Sequence, residues 1–164
     1  MGSLDGRVAI ITGAGRGIGR EHALLMAAEG AKIVVNDLGG AIDGSGSDAT
    51  PAEEVVQEIK AMGGEAIANY ANVTDWEGVQ GMINQAVETF GDLHILVNNA
   101  GILRDRVLVN MTEGEWDAVI AVHLKGHFTI TRYASIVMRQ QRGGRIINTS
   151  SESGLGNLGQ ANYS

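Results

Sequence analysis

Glycines at regular spacing near the amino terminus suit the binding of a phosphate group. The stretch from Thr12 to Gly19 reads T-G-A-G-R-G-I-G, after an apolar run and before a helix-forming one. A pyrophosphate needs a sharp turn and a backbone bare enough to approach the first N–H groups of a helix. Gly13 can supply the turn, Gly17 the close approach, and Gly19 a tight contact between helix and sheet. A glycine pattern alone could be merely a tight turn, but its place between a strand and a helix favours a dinucleotide-binding loop.

An acidic residue follows at the distance that a dinucleotide site needs. Asp37 closes the next apolar run, 24 residues after Gly13. There a carboxylate can accept hydrogen bonds from both hydroxyls of an adenosine ribose and would repel a 2′-phosphate; the alternative is a residue that only caps a turn or helix. Arg16 could instead attract a 2′-phosphate. We expect Asp37 to prevail, because a buried carboxylate beside a phosphate would be costly, so the sequence predicts NAD rather than NADP.

The elements that hold these residues follow from the hydrophobic pattern. Short, β-branched apolar runs predict five strands buried on both faces, at 7–12, 32–36, 66–70, 93–98 and 145–148. Helical periodicity and caps predict helices at 18–29, from 50 to the glycines at 63 and 64, at 79–90 and at about 116–141. The loop that begins at 38 is unusually long for a strand-to-helix connection. Alternating strands and helices predict a parallel sheet of order 3-2-1-4-5, with a ligand crevice at the carboxyl ends of strands one and four.

Composition excludes several other functions. The 164 residues suffice for one domain, 1–164, and the net charge of −7 without a basic run argues against nucleic acid or an anionic membrane as a partner. There is no cysteine, which excludes thiol chemistry. His22, His94 and His127 show no partner spacing, so no metal site is expected. The start carries no signal peptide and no apolar run approaches the roughly 20 residues of a membrane span, so we expect a cytoplasmic protein.

Three separated motifs, in this order, resemble the short-chain dehydrogenase/reductase family. They are T-G-x-x-x-G-x-G from Thr12, N-N-A-G at 98–101 and S-x-S-G…Y near the end. The resemblance covers essentially the whole chain and implies an α/β, Rossmann-like, doubly wound sheet. One branch is especially similar, the (3R)-hydroxyacyl-CoA dehydrogenase domains of peroxisomal multifunctional enzymes, together with bacterial relatives. The likeness lies in N-D-L-G-G at 36–40, I-L-R-D-R at 102–106, V-H-L-K-G at 122–126 and G-Q-A-N-Y-S at 159–164.

The family's cofactor contacts can be carried over residue by residue. The resemblance implies contacts in the glycine loop, at the acid after strand two, along the adenine and beneath the ribose. These positions are Gly13, Arg16, Gly17, Ile18, Asp37, Asn72, Val73, Asn99, Ala100, Gly101 and Val122. Many relatives have Asp at position 72. For the asparagine pair at 98 and 99, a structural role in bracing strand four is the alternative.

The resemblance implies hydride transfer between the nicotinamide and a secondary alcohol or ketone, such as a 3-hydroxyacyl-CoA or similar 3-oxoacyl substrate. Tyr163, which also contacts the cofactor, would be the general acid/base, and a serine hydroxyl would hydrogen-bond the reacting oxygen. Counting 13 residues back selects Ser150; aligning on the following Ser-Gly selects Ser151, with one residue deleted in the loop. We favour Ser151, because loops accept deletions more readily than strand ends. A serine run alone is more often a solvated strand end.

Two departures from the family pattern are evident. His123 stands where the family has a catalytic asparagine, and the alternative is a satisfied helix histidine without a catalytic part. The family's lysine, four residues after Tyr163, would lie beyond Ser164, so we expect these residues to be the front two-thirds of a longer enzyme. The resemblance implies that the intact protein is a homodimer or homotetramer. A non-catalytic dinucleotide-binding module is the competing hypothesis, and a purely structural role explains none of the glycine spacing.

Overall fold

The computed structural model describes residues 2–164 and has five strands that alternate with helices. The strands are β1 Val8–Thr12, β2 Lys32–Asn36, β3 Glu65–Asn69, β4 Ile95–Asn98 and β5 Arg145–Asn148. The helices are α1 Gly17–Ala28, α2 Thr50–Ala61, α3 Trp76–Phe90, α4 Glu113–Ile120 and α5 His127–Gln140. A π-helical segment, Ala121–Gly126, joins α4 to α5, and short 3-10 turns occupy Leu108–Asn110 and Glu152–Leu155.

The sheet is parallel throughout and has the order β3-β2-β1-β4-β5, which confirms the predicted topology. Every residue of β1 is buried, because the strand lies between β2 and β4 and is covered on both faces. Ala9 and Ile11 pack in a cluster that includes residues of α1 and α2. Val8 and Ile10 pack on the opposite face, with residues of α3 and α5. The near-continuous apolar run of β1 thus reflects helices on both sides of the sheet.

The observed bounds differ from the predicted ones by a few residues. β4 begins at Ile95, because its pairing with β1 begins with Ala9 opposite Ile95. The long helix was predicted from about 116 but begins at Glu113, where Thr112 caps it. It ends at Gln140, and Arg142 (φ +60°) takes the left-handed position expected of a glycine. No helix within residues 2–164 has the length and apolar character to cross a membrane.

The long loop after β2 forms an arch. Residues 38–48, here called the arch loop, are closed at the base by a hydrogen bond from the Asp48 amide to the Leu38 carbonyl, 2.9 Å. At its tip, the Ile42 carbonyl accepts from the Leu103 amide (2.9 Å), and the Asp43 carbonyl accepts from Arg104 Nε (2.8 Å). Residues 103 and 104 follow β4, and β1 lies between β2 and β4. The arch loop therefore bridges the carboxyl end of β1.

Candidate active site

The glycine loop after β1 has the backbone geometry that its spacing predicts. Gly13 has φ +63°, and a Cβ at this position would lie 2.8 Å from Ala100 Cα. A Cβ at Gly19 would lie only 2.1 Å from the Gly13 carbonyl oxygen. Since real Cβ atoms do not approach backbone atoms so closely, α1 can pack directly on the end of β1 only because position 19 is glycine. Gly17 (φ +54°) is exposed, and no described atom lies within 4 Å of its ideal Cβ.

The amino terminus of α1 has no side-chain cap within residues 2–164: Arg16 occupies the cap position without accepting a hydrogen bond. By contrast, Asp75 accepts from the Glu77 amide at the start of α3, and Thr112 forms a complete capping box with Glu115 at the start of α4. Free N–H groups at a helix start, with the positive end of the helix dipole, favour an anion. The first turn of α1 is therefore suited to a ligand phosphate.

Thr12 and Asn99 hold the ends of β1 and β4 together. The buried Thr12 hydroxyl accepts from the backbone amides of Asn99 and Ala100, both at 3.0 Å, and donates to the Val97 carbonyl at 3.3 Å. Asn99 Nδ2 donates to the carbonyls of Thr12 and Gly13, both at 3.1 Å. Asn99 thus braces the glycine loop as well as lining the groove. The structure gives this bracing role directly.

Asn98, the other residue of the pair, makes only structural contacts. Its side chain is fully buried, and Nδ2 donates to Asn148 Oδ1 (2.8 Å) on β5 and to Thr131 Oγ1 (3.0 Å) on α5. The two asparagines therefore have different structural roles. Asn98 joins β4 to β5 and α5, whereas Asn99 joins β4 to the glycine loop.

Asp37 connects the glycine loop to the arch loop. Its Oδ2 accepts from the Gly15 amide at 2.7 Å, and its Oδ1 accepts from the Gly39 amide at 2.6 Å. A carboxylate has about four acceptor sites, so each oxygen keeps capacity for a further donor such as a sugar hydroxyl. Both neighbouring loops thereby fix the carboxylate at the wall of the first cavity described below.

Two adjoining cavities run along the carboxyl edge of the sheet. The first, of about 270 Å³, is lined by nine predicted cofactor residues: Gly13, Arg16, Asp37, Asn72, Val73, Asn99, Ala100, Gly101 and Val122. The second, of about 460 Å³, is lined by the predicted residues Ile18, Ser150, Ser151, His123 and Tyr163. The shared walls are Ile42, Asn99, Ala100, Gly101 and Ile102. Gly17 lines neither cavity. Ile42 and Ile102 were not predicted; the unusual length of the arch loop was the signal that could have suggested them.

His123 lies on the π-helical segment and contacts Tyr163. The two rings are edge to face, with centroids 5.0 Å apart. His123 Nε2 lies 3.1 Å from the backbone nitrogen and 2.9 Å from the carbonyl oxygen of Ile102. A Cβ at Gly101 would lie 2.5 Å from His123 Cε1, so the imidazole packs on that glycine. His123 is therefore a hydrogen-bonded helix histidine that also forms the side of the tyrosine's pocket.

The two candidate serines line the same cavity as Tyr163. Ser151 is half-buried, and its Oγ accepts from the Ser153 amide at 3.2 Å. Ser150 is exposed. Both serines thus line the cavity, and the Ser151 hydroxyl is oriented by the hydrogen bond that it accepts from the Ser153 amide.

His127 is an unpredicted member of the second cavity. Its Nε2 is buried without a hydrogen-bond partner in the described part of the chain. Burial, followed by the nearby His123, lowers the pKa of its imidazole, which favours the neutral ring. Across residues 2–164, no three His, Cys, Asp or Glu side chains come together as metal ligands would.

Comparison with known proteins places this geometry among dehydrogenases. Residues 7–164 match the sequence family described as short chain dehydrogenase. The peroxisomal multifunctional enzyme type 2 of Drosophila melanogaster is 56% identical over 160 residues, 97% of this chain. A 3-oxoacyl-(acyl-carrier-protein) reductase of Staphylococcus aureus is 49% identical over 156 residues, 94% of this chain. The crystal structure of a short chain dehydrogenase from Mycobacterium avium superposes with a TM-score of 0.90 at 56% identity over 99% of this chain.

The chain corresponds to only part of each relative. It spans 26% of the Drosophila enzyme, 60% of the Staphylococcus reductase and 60% of the Mycobacterium avium chain. The family model covers residues 7–164, which include the glycine loop and the cavity of Ser151 and Tyr163 in this chain.

Proposed function

Because this chain belongs to the short-chain dehydrogenase family, we propose that it forms the dinucleotide-binding and proton-transfer part of an oxidoreductase acting on CH–OH groups. The observation that carries the proposal is the uncapped start of α1 beside a cavity that continues into the cavity of Tyr163. The anion site at one end fits the phosphates of a dinucleotide. The phenol and serine hydroxyls at the other end fit a carbonyl or alcohol oxygen.

NAD is the proposed cofactor, with NADP less suited. The N–H groups of the first turn of α1 would hold the pyrophosphate, and Asp37 would accept hydrogen bonds from the adenosine ribose. Asn72 and Val73 would lie along the adenine, and the 99–101 segment with Val122 would lie beneath the second ribose. When bound, the nicotinamide supplies the hydride acceptor or donor.

Tyr163 and Ser151 are the proposed catalytic residues. In alcohol oxidation the Tyr163 phenolic oxygen takes the proton of the substrate hydroxyl; in ketone reduction the phenol gives that proton back to the same oxygen. The Ser151 hydroxyl donates a hydrogen bond to the reacting oxygen and so holds it at a fixed distance from the Tyr163 hydroxyl. The edge of the His123 ring limits the movement of the phenol.

A 3-hydroxyacyl or 3-oxoacyl thioester is the proposed substrate class. The name of the Staphylococcus relative, a 3-oxoacyl-(acyl-carrier-protein) reductase, supports it. Steroids and simple secondary alcohols are the alternatives that a substrate panel would include.

A homodimer or homotetramer in the cytoplasm is the proposed state of the whole protein. Leu124, Phe128 and Ile136 lie on one side of the α4–α5 helix and are 66%, 57% and 47% exposed. A second copy of the same face would cover them, and sedimentation velocity would report a monomer if it does not. The cytoplasmic location is proposed from the sequence alone, whereas five relatives of this chain carry peroxisomal names.

The test uses the full-length gene product, with calorimetric titration of NAD and NADP followed by turnover of the substrate panel. We expect tighter binding of NAD and a loss on the order of 10²- to 10⁴-fold in kcat for Tyr163→Phe. Ser151→Ala should lose about 10²-fold, whereas the neighbouring Ser150→Ala serves as the matched control and should retain activity. NAD binding without any turnover would replace this function by a non-catalytic dinucleotide-binding module.

A further inference from the structure

We propose that Asn162 is a positioning residue that fixes Tyr163 relative to the groove, an inference that rests on the proposed function for its catalytic meaning. Asn162 is 5% exposed, whereas most of residues 149–164 are exposed. The large apolar side chains of this segment do not anchor it, since Leu155 and Leu158 are 95% and 99% exposed. Polar contacts must therefore hold the tyrosine in place.

The Asn162 amide makes three hydrogen bonds that converge on the turn containing Tyr163. Its Nδ2 donates to the Arg104 carbonyl (3.0 Å) and to the Glu115 carbonyl (3.1 Å). Its Oδ1 accepts from the backbone amide of Tyr163 at 2.9 Å. One side chain thus ties the tyrosine's own backbone to the loop after β4 and to the first turn of α4.

The hydrogen-bond partners of Asn162 also determine the orientation of its side-chain amide. Two carbonyl oxygens require the NH₂ group, and the Tyr163 N–H, which also donates to the Gln160 carbonyl at 3.1 Å, makes its shorter bond to the amide oxygen. Among side chains of this size, only an amide can satisfy all three at once. Aspartate would keep the acceptor for Tyr163 but would set a carboxylate oxygen against two carbonyls.

Other contacts of the same turn are weaker candidates for this role. Gln160 Nε2 donates to Asp105 Oδ2 at 2.8 Å, and the Arg106 amide donates to the Gly159 carbonyl at 2.7 Å. The side-chain pair is exposed to solvent, where water competes for each group, while the bonds of Asn162 are shielded and correspondingly stronger. The Arg104 side chain also bonds the arch loop, so Asn162 attaches Tyr163 to the segment that borders both cavities.

The experiment compares wild type, Asn162→Ala and Asn162→Asp in the full-length gene product. Asn84→Ala is the matched control, because Asn84 is exposed on α3 and its side chain makes no hydrogen bond within the described residues. Four quantities are measured: kcat, the Kd for NAD, the thermal melting temperature, and the rate of tyrosine nitration by tetranitromethane, resolved by peptide mass. Tyr70 and Tyr133 are the internal references for nitration.

For both Asn162 variants we expect kcat to fall on the order of 10²-fold, the effect of misplacing a reacting group by about 1 Å, while the Kd for NAD changes little. Nitration of Tyr163 should accelerate severalfold, with Tyr70 and Tyr133 unchanged. Unchanged kcat and unchanged Tyr163 nitration would overturn the proposal. So would a parallel loss of NAD affinity, thermal stability and protection of all three tyrosines, because that result indicates a general structural role.

The nitration arm needs no turnover, so it separates this proposal from the proposed function. If wild type transfers no hydride to any substrate, the proposed function fails, and a selective rise in Tyr163 nitration would still support the positioning role. If wild type is active and nitration is unaltered in both variants, only the positioning role fails.

Discussion

The two ends of the groove are held in place by different means. At the end of β1, the turn depends on the main chain, through the positive φ of Gly13 and the missing Cβ of Gly19, and the Thr12 hydroxyl and the Asn99 amide brace it against the end of β4. Around Tyr163, positions depend on side-chain amides that reach partners 55 and 58 residues away in sequence. The glycines of the first site lie within the eight consecutive residues 12–19, so their spacing can reveal it. The second kind depends on partners that no local spacing relates.

The largest expected effect tests the main-chain end. Gly19→Ala would place a Cβ 2.1 Å from the Gly13 carbonyl oxygen and 2.6 Å from Asn99 Nδ2. Since backbone must move to relieve the overlap, we expect a loss of about 3 kcal/mol in the free energy of unfolding, measured by urea denaturation.

A second glycine provides the control for that variant. Gly81 lies in α3, and within the described chain nothing approaches its ideal Cβ to within 4 Å. Gly81→Ala should stabilise the protein by about 1 kcal/mol through helix propensity. Equal changes in the free energy of unfolding for Gly19→Ala and Gly81→Ala would show that the end of β1 does not require a residue without a Cβ. That result would contradict the contrast between the two ends of the groove.

A smaller effect is expected for Thr12→Val, which keeps the side-chain shape but removes the hydroxyl. The amides of Asn99 and Ala100 then lose their acceptor, and we expect a cost of about 2 kcal/mol. Thr129→Val is the matched control, because within residues 2–164 the buried Thr129 hydroxyl makes one hydrogen bond, to the Lys125 carbonyl in the preceding π-helical segment. Its cost should be much smaller. Chemical denaturation of both variants would sharpen the comparison; similar costs would contradict it.

The smallest effect concerns acid stability near the tyrosine end. Hydrogen bonds from the Thr112 backbone and then from Arg106 lower the pKa of Glu115 to about 2, from an ordinary value of 4.5. A folded-state pKa below the unfolded one gives a stabilisation that is present above about pH 4.5 and is lost as the pH falls toward 2. Glu115→Gln can keep the cap geometry, so its deficit relative to wild type should shrink across that window.

Thermal melts of wild type and Glu115→Gln between pH 2 and 7 measure this trend. If the stability deficit of Glu115→Gln stays constant with pH, the ionised form of Glu115 contributes no stability beyond that of its neutral form. Arg106→Ala, which leaves the Thr112 bonds in place, should retain part of the pH dependence.

The sheet order could be predicted because each parallel strand is an unbroken apolar run, and the groove residues could be predicted because loops after parallel strands meet at one edge. The π-helical segment was not predicted, because its six residues shift the phase of the hydrophobic period only once, which is too short a signal to distinguish it from an α-helical turn. The arch loop was recognised as too long, but its shape depends on bonds to Leu103 and Arg104, which are distant in sequence. His127 was not predicted to line the cavity, because its position there arises only once α5 packs beside β4.

The arch loop has a kinetic consequence. Two hydrogen bonds hold its tip, and with a net worth of about 1 kcal/mol each the span would be open roughly one-thirtieth of the time. A span held this weakly can open without unfolding of the sheet beneath it, which leaves a route from solvent to both cavities that Ile42 lines.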